Sequence, residues 1–184
     1  IISGNFRGKK ISLPKDKATR PLRDLVKESI FNLIEHSNKI NFKIKNSKVL
    51  DLFSGSGSFG LECISRNAQK VTFVENYKNA LETLKKNISS LEIKEKSQII
   101  EADCFNFLNS IDDNTNKFSL IFIDPPFREQ KINLMIESIK EKKILDQRGI
   151  IIIHRHKKDE IDISKKLNIL DERNYGISKI IIAN

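Results

Sequence analysis

In the middle of the chain, short apolar runs alternate with segments whose apolar residues recur every three or four positions. The apolar runs are "SKVLDLF", "KVTFVE", "SQIIEAD" and "FSLIFID", and each is followed by a segment of helical spacing. Short apolar runs separated by helices predict a parallel sheet with helices on both faces. Before them, "TRPLRDLVKESIFNLIEH" predicts a helix with Thr19 as its N-cap and Pro21 in its first turn. Its apolar face would comprise Leu22, Leu25, Val26, Ile30, Leu33 and Ile34.

The last third of the chain departs from this alternation. "GIIIIH" predicts a strand, "DEIDISKKL" at most a short helix, and "NILDERNYGISKIIIAN" two strands joined by a turn at Tyr175 and Gly176. We therefore expect an α/β fold with a mostly parallel seven-stranded sheet and a C-terminal antiparallel hairpin. A chain of 184 residues is long enough for one core and too short for two typical domains, so we expect a single domain over residues 1–184.

The charge of the chain favours a polyanionic partner. Lys and Arg total 33 against 24 Asp and Glu, a formal net charge of +9. The alternative is a basic surface without a specific partner. Before residue 28, only Asp16 and Asp24 oppose a basic cluster of Arg7, Lys9, Lys10, Lys15, Lys17, Arg20, Arg23 and Lys27. This clustering predicts a phosphate-binding patch. "RGKK" further suggests a short hairpin, and the alternative is a flexible basic tail.

Several classes of protein do not fit the sequence. Cys63 and Cys104 are far apart, and His36, His154 and His156 make no metal-ligand spacing with them. We therefore expect neither a metal site nor a disulfide framework. The apolar runs are far shorter than a membrane span, and no signal-peptide pattern begins the chain. We expect a cytoplasmic protein that makes no membrane contact.

A glycine-rich turn follows the first predicted strand. "LDLFSGSGSFGLE" places Gly55, Gly57 and Gly60 in a G-x-G-x-x-G spacing, and Glu75 ends the next strand, as ribose recognition requires. A dinucleotide and S-adenosylmethionine both fit this pattern. Asp51 favours S-adenosylmethionine, because an acid repels a pyrophosphate and attracts the ammonium and sulfonium of the methionine part. Gly60 could instead serve only helix packing.

A third strand end completes the predicted cofactor site. Asp103 in "EADCF" could accept a hydrogen bond from an adenine amino group, or it could merely cap the helix that follows. The predicted cofactor-binding residues are Arg20, Asp51, Phe53, Gly55, Ser56, Gly57, Glu75, Asn76, Asp103 and Cys104.

The stretch "IFIDPPF" ends a strand in an unusual way. Pro125 and Pro126 lack amide hydrogens, so they must lie just beyond the strand and leave Asp124 at its carboxyl end. Ligands bind at this edge of an open α/β sheet, and a stiff loop could hold Asp124 and Phe127 beside a substrate. The alternative is an ordinary turn.

Taken in order, "DLFSGSGSFGLE", the acid at Glu75, "EADCF" and "DPPF" resemble class I methyltransferases that act on exocyclic amines. Together with "IISGNFRGKKISLP", "TRPLRDLVKESIFN" and "YGIS", the chain is similar to the bacterial 16S rRNA (guanine(966)-N2)-methyltransferase family. This resemblance implies a Rossmann-like fold, S-adenosylmethionine as cofactor, and methylation of a guanine amino group in ribosomal RNA, free or within the small subunit. It also implies a monomer with a basic RNA-binding extension over 1–20 and a catalytic core over 21–184.

Two stretches depart from the pattern of that family. Leu22 stands where the family usually has Thr after Arg-Pro, which could leave a hydrogen bond unmade near the cofactor. His154, Arg155 and His156 stand where a Glu is usual. We expect the two histidines to lie on a surface loop; alternatively they add a cation beside RNA.

The chemistry assigns roles to the "DPPF" residues. Asp124 and the Pro125 carbonyl can each accept one hydrogen of a guanine amino group, Pro126 stiffens the loop, and Phe127 can stack on an extruded base. The predicted RNA contacts are Arg7, Lys9, Lys10 and Arg23. Three alternatives remain: methylation of adenine N6 in DNA or RNA, an NAD-dependent oxidoreductase, and a non-catalytic RNA-binding module.

Overall fold

The computed structural model describes residues 1–16, 22–112 and 117–184. The helices are α1 (Asp24–His36), α2 (Ser58–Ser65), α3 (Lys78–Ser90), α4 (Cys104–Ser110) and α5 (Ile132–Glu141). The strands are β1 (Lys48–Leu52), β2 (Lys70–Glu75), β3 (Ser97–Glu101), β4 (Phe118–Ile123), β5 (Leu145–His156), β6 (Ile169–Tyr175) and β7 (Ser178–Ala183). Within the described ranges, no helix is long and apolar enough to cross a membrane.

The seven strands form one sheet in the order β3-β2-β1-β4-β5-β7-β6. Strands β1 to β5 are parallel, and β7 pairs antiparallel with both β5 and β6. The predicted α/β fold with a C-terminal antiparallel hairpin is therefore confirmed. After β3 the chain returns to the other side of β1, which makes the crevice between β1 and β4 the switch point where such sheets bind ligands.

Alternate residues of the strands pack on opposite faces of the sheet. Val49 and Phe122 pack with residues of α1, α2 and α3, whereas Leu50 and Ile121 pack with residues of α4 and α5. Gly60 lets α2 approach the sheet closely, because a Cβ there would lie 2.4 Å from the Phe73 ring. Helix packing therefore accounts for the third glycine of the motif.

Several predicted elements differ in detail. Helix α1 begins only at Asp24. The predicted cap Thr19 and the predicted first-turn residue Pro21 lie outside the described residues. Leu25, which is predicted to be part of the apolar face, is 70% exposed. The segment "DEIDISKKL" forms turns without a helix. The expectation of a surface loop at His154 is wrong, because β5 continues through His156 and buries its neighbours His154 and Arg155.

The expected hairpin takes the form of a turn without strands in residues 1–16: residues 5–8 form a turn, the Gly8 amide donates to the Ile1 carbonyl at 3.0 Å, and the Ile1 amino group donates to the Lys9 carbonyl at 2.8 Å. The alternative of a flexible tail is wrong, because this segment is bound to α2 and α3. The carboxylate of Glu62 accepts the amide hydrogens of Ile2 and Ser3 at 2.8 and 2.9 Å. The Asn5 amide donates to the Ser65 carbonyl at 2.8 Å. These contacts fix the beginning of the basic segment against the C-terminal end of α2.

Candidate active site

The glycine-rich turn between β1 and α2 has an unusual backbone. Phe53, Gly55 and Gly57 have φ values of 58°, 55° and 84°. For Phe53 this conformation is strained, and such strain is typical of functional sites. The Phe53 amide donates to the Cys104 thiol at 3.3 Å, which helps to hold the strained residue. The turn is therefore a preformed loop at the carboxyl end of β1.

Asp51 is buried beneath this loop. Its Oδ2 accepts the Gly60 amide hydrogen at 3.0 Å. Burial raises the pKa of Asp51 well above its usual value, the Gly60 hydrogen bond opposes that rise, and the charges of Asp124 and Glu75 add to it. The charges of two further carboxylates therefore act on Asp51 at this edge, which is an environment that favours a cation.

Glu75 ends β2 and orders the same loop. Its Oε2 accepts the Gly55 amide hydrogen at 2.7 Å, and its Oε1 accepts those of Asn76 and Tyr77 at 2.9 Å each. A carboxylate offers about four acceptor positions. Three are used internally here, so two hydrogen bonds from a ribose would require displacement of one of these amides.

Asp103 and Cys104 lie at the start of α4. Oδ1 of Asp103 caps the helix by accepting the amide hydrogens of Phe105 and Asn106 at 3.0 and 3.1 Å. Both bonds go to Oδ1, which leaves Oδ2 available to a ligand. Burial raises the pKa of the Cys104 thiol above its usual range, so Cys104 is a packing residue and not a nucleophile.

Asn87 joins the glycine-rich loop to the amino-terminal segment, a connection that the sequence analysis missed. Its side-chain amide donates to the carbonyls of Ser56 and Ser12 at 3.0 and 3.1 Å, and its Oδ1 accepts the Ser12 amide hydrogen at 2.7 Å. Asn87 is buried in α3. One side chain therefore holds both segments in a fixed relation.

Asp124 lies directly after β4, as the sequence predicts. Its amide donates to the Leu52 carbonyl at 3.4 Å, so the "DPPF" loop adjoins the end of β1. Pro125 is buried and Pro126 is exposed. The Phe127 ring is 39% exposed and meets the rings of His154 and His156 edge-on, with centroids 5.8 and 5.3 Å apart.

His154 contacts the predicted catalytic carboxylate. Its Nδ1 lies 2.7 Å from Oδ1 of Asp124, and its Nε2 lies 2.8 Å from Oγ of Ser178. Sequence reasoning missed this connection. The available signal was that β4 and β5 are parallel neighbours, so the polar residues that follow their apolar runs meet at one edge.

Arg155 holds the backbone of the "DPPF" loop and is 1% exposed. Its guanidinium donates to the carbonyls of Pro126 and Phe127 at 3.2 Å each and to that of Glu129 at 2.7 Å. Nε donates to Asp159 at 2.6 Å, which balances the buried charge. The stiffness of the loop therefore comes from Arg155 as well as from its prolines.

The basic cluster is only partly available to a ligand. Arg7, Lys9, Lys10 and Arg23 are exposed, whereas Arg20 lies outside the described residues. Lys27, by contrast, is buried and binds Ser58 and Asp24, each at 3.1 Å. Arg7 to Lys10 lie between Phe6, whose amide donates to Ser65 at the C-terminal end of α2, and Ser12, which Asn87 joins to the glycine-rich loop.

Comparisons with known proteins agree with this geometry. A family model described as "Conserved hypothetical protein 95" matches residues 1–184. The Haemophilus influenzae protein named "Ribosomal RNA small subunit methyltransferase D" is 33% identical over 178 residues, which are 96% of this chain and 89% of that protein. Its namesake from Buchnera aphidicola subsp. Acyrthosiphon pisum is 34% identical over 173 residues, which are 94% and 86% of the two chains.

The fold has a solved counterpart in yhhF from Escherichia coli, with a TM-score of 0.84 at 25% identity over 100% of this chain and 95% of that chain. The sequence relatives confirm the resemblance at the level of an rRNA methyltransferase family. Because the family model spans the whole chain, this protein belongs to the family described as conserved hypothetical protein 95.

Proposed function

We propose that this chain is an S-adenosylmethionine-dependent methyltransferase that methylates the exocyclic N2 amino group of a guanine in 16S ribosomal RNA. The observation that carries the proposal is the position of Asp124, held at the end of β4 beside the acid-lined glycine loop at the end of β1. Relatives named as ribosomal RNA small subunit methyltransferases support the substrate class. Ribosomal RNA is a cytoplasmic substrate in bacteria, and we place the enzyme there.

The residues at this edge fit S-adenosylmethionine, which carries an ammonium and a sulfonium. The charges of Glu75 and Asp124 close to the buried Asp51 favour a cationic ligand. A Cβ at Gly55 would meet nothing within 4 Å, so the loop borders open space. When bound, S-adenosylmethionine supplies an electrophilic methyl group. We propose that it is held by Asp51, Phe53, Gly55, Ser56, Gly57, Glu75, Asn76, Asp103, Cys104 and, outside the described residues, Arg20.

The "DPPF" loop provides what amino methylation requires. A guanine amino nitrogen is a poor nucleophile because its lone pair is delocalised into the ring. Asp124 and the Pro125 carbonyl each accept one hydrogen bond from the amino group. These bonds direct the nitrogen lone pair at the methyl group and offset the positive charge that develops on nitrogen. The exposed ring of Phe127 stacks on the extruded base, and Pro126 limits movement of the loop.

We propose that residues 1–20 are an RNA-binding extension and 21–184 a catalytic core, together forming one domain that acts as a monomer. The exposed side chains of Arg7, Lys9, Lys10 and Arg23 contact phosphates.

The direct test is transfer of a tritiated methyl group to 16S RNA and to assembled small subunits, followed by mass mapping of the modified nucleoside. We expect N2-methylguanosine at one position. N6-methyladenosine would overturn the choice of amine, and thermal stabilisation by NAD but not by S-adenosylmethionine would overturn the cofactor.

Replacement of Asp124 tests the proposed clamp. Asp124→Ala should still bind S-adenosylmethionine, at most slightly more weakly because one of three nearby carboxylates is lost, but should methylate about 100-fold more slowly because a preorganised acceptor is lost. Asp124→Asn keeps a carbonyl acceptor without the charge and should retain more activity than the Ala variant. A wild-type rate for Asp124→Ala would show that "DPPF" is only a turn.

A further inference from the structure

Asp124, His154 and Ser178 form a linear chain of hydrogen bonds that runs from the site into the sheet. The carboxylate contacts Nδ1 of the imidazole at 2.7 Å, and Nε2 contacts the Ser178 hydroxyl at 2.8 Å. These residues come from the end of β4, from β5 and from the start of β7. The protonation of the ring follows from the chemistry of its two partners.

An ionised carboxylate can only accept hydrogen bonds, so Nδ1 of His154 carries a hydrogen and donates it to Asp124. In the neutral ring Nε2 is then an acceptor, and the Ser178 hydroxyl, which can both donate and accept, donates to it. The carboxylate therefore selects this tautomer, and the hydroxyl is compatible with it. The contact orients one oxygen of Asp124 and leaves the other oxygen for a ligand.

The imidazole itself has little freedom to move. His154 is 7% exposed, and β5 lies between β4 and β7, with His154 paired to Ile180 of β7. The ring of Phe127 contacts it edge-on. A donor fixed by pairing with β7 and by the ring of Phe127 can therefore hold a carboxylate at the edge of that sheet in one orientation.

From this geometry we infer that His154 is a positioning residue, which fixes the Asp124 carboxylate for capture of the substrate amino group, and that Ser178 fixes His154. This inference rests on the proposed function of Asp124. Such orientation matters because a small displacement of an acceptor in a preorganised site costs a large part of the rate.

The same three residue types form the nucleophilic triad of many hydrolases. That role does not fit Ser178, which is 6% exposed and pairs within the sheet with His156 and Tyr175. A substrate carbonyl has no access to a buried strand residue. Ser178 therefore holds His154 in place, and Asp124 is the end of the hydrogen-bond chain that faces the site.

The kinetic test compares His154→Ala with His154→Asn. The Ala variant removes the donor, so kcat for methylation should fall about 10- to 100-fold while KM for RNA and the affinity for S-adenosylmethionine stay unchanged. Asparagine places an amide donor near the position of Nδ1 and should restore most of the loss, even if the Ala variant folds poorly. His36→Ala, at an exposed histidine on α1, is the matched control and should have the wild-type kcat.

A double-mutant cycle asks whether His154 acts through Asp124. In an Asp124→Ala background, His154→Ala should cause no further loss of kcat. An equal loss in both backgrounds would overturn the inference, and so would a wild-type kcat for His154→Ala. Ser178→Ala should cause a smaller loss of kcat than His154→Ala, and this loss should also disappear in the Asp124→Ala background.

A measurement independent of methylation separates this inference from the proposed function. In 15N-histidine-labelled protein, NMR should show His154 protonated at Nδ1, with that signal shifted or lost in Asp124→Ala. Protonation at Nε2 alone would overturn the pairing. If the wild-type protein methylates no RNA, the proposed function fails, and the NMR result still decides whether His154 holds Asp124.

Discussion

The two loops that meet at the edge of the sheet are held in different ways. In the glycine-rich loop, the carboxylates of Asp51 and Glu75 accept amide hydrogens of Gly60 and Gly55, which are 9 and 20 positions away. In the "DPPF" loop, backbone carbonyls accept hydrogens from one side chain, that of Arg155, 26 to 29 positions away. The first loop uses backbone donors, and the second depends on a single side-chain donor group.

This difference predicts how each loop responds to substitution. The two bonds of the glycine-rich loop are divided between two acceptors, so replacement of Asp51 or of Glu75 removes only one of them, at Gly60 or at Gly55. The "DPPF" loop loses three hydrogen bonds when Arg155 is replaced. We therefore expect the cofactor side of the site to tolerate change better than the amine-capturing side.

The largest effect should come from Arg155→Ala. The change leaves Asp159 without its cation and three carbonyls without a donor, and we expect the free energy of unfolding to fall by roughly 3 to 5 kcal/mol. Urea denaturation measures this loss, with the exposed Lys157→Ala as a control. If the free energies of unfolding of Arg155→Ala and of the wild type agree within about 1 kcal/mol, the proposed role of Arg155 is contradicted.

Next in size is the effect of Glu75→Ala on the cofactor side. Loss of a charged acceptor should weaken binding of S-adenosylmethionine by roughly 2 to 4 kcal/mol. Glu75→Gln keeps an acceptor for the loop amides and should lie between Ala and wild type. Calorimetric titration tests this order against the exposed Glu82→Ala. Unchanged affinity in Glu75→Ala would exclude Glu75 from the cofactor site.

A smaller and salt-dependent effect should follow from changing Arg7, Lys9 and Lys10 together to Ala. Loss of three phosphate contacts should lower the slope of log affinity for RNA against log salt by up to about 3, without changing cofactor affinity. The matched control replaces one arginine and two lysines that are exposed near the amino ends of β4 and β5: Lys117, Lys143 and Arg148. Equal slopes for the two triple variants would contradict a specific RNA contact.

The smallest effect concerns Asp51. Because burial raises its pKa in the folded state, the charged carboxylate costs stability, and this cost grows as pH rises above the unfolded value near 3.8. Asp51→Asn keeps an acceptor for the Gly60 amide and should raise the thermal midpoint at pH 7, with a difference that shrinks toward pH 4. It should also weaken cofactor binding. A thermal midpoint for Asp51→Asn below that of the wild type at pH 7 would contradict the claim that the charged Asp51 carboxylate costs stability.

The sequence predicts the parts of the molecule that depend on local spacing. The order of strands and helices, the turn at Gly55 and the position of Asp124 all follow from patterns within about 20 residues. The support of the "DPPF" loop could not be predicted in the same way, because His154 and Arg155 act across neighbouring strands. Their polarity suggested the end of the strand, whereas antiparallel pairing with β7 continues β5 through His156 after its pairing with β4 has ended at Ile153.

The position of β7 has a consequence for the order in which the site is assembled during translation. The proposed cofactor-binding residues have all been synthesised once Cys104 is added. His154 follows Asp124 by 30 residues, and Ser178 follows His154 by another 24, in the strand that inserts between β5 and β6. A growing chain therefore carries every cofactor-binding residue well before it carries the last support of its catalytic carboxylate. The amine-capturing half can be completed only after β7 has been synthesised.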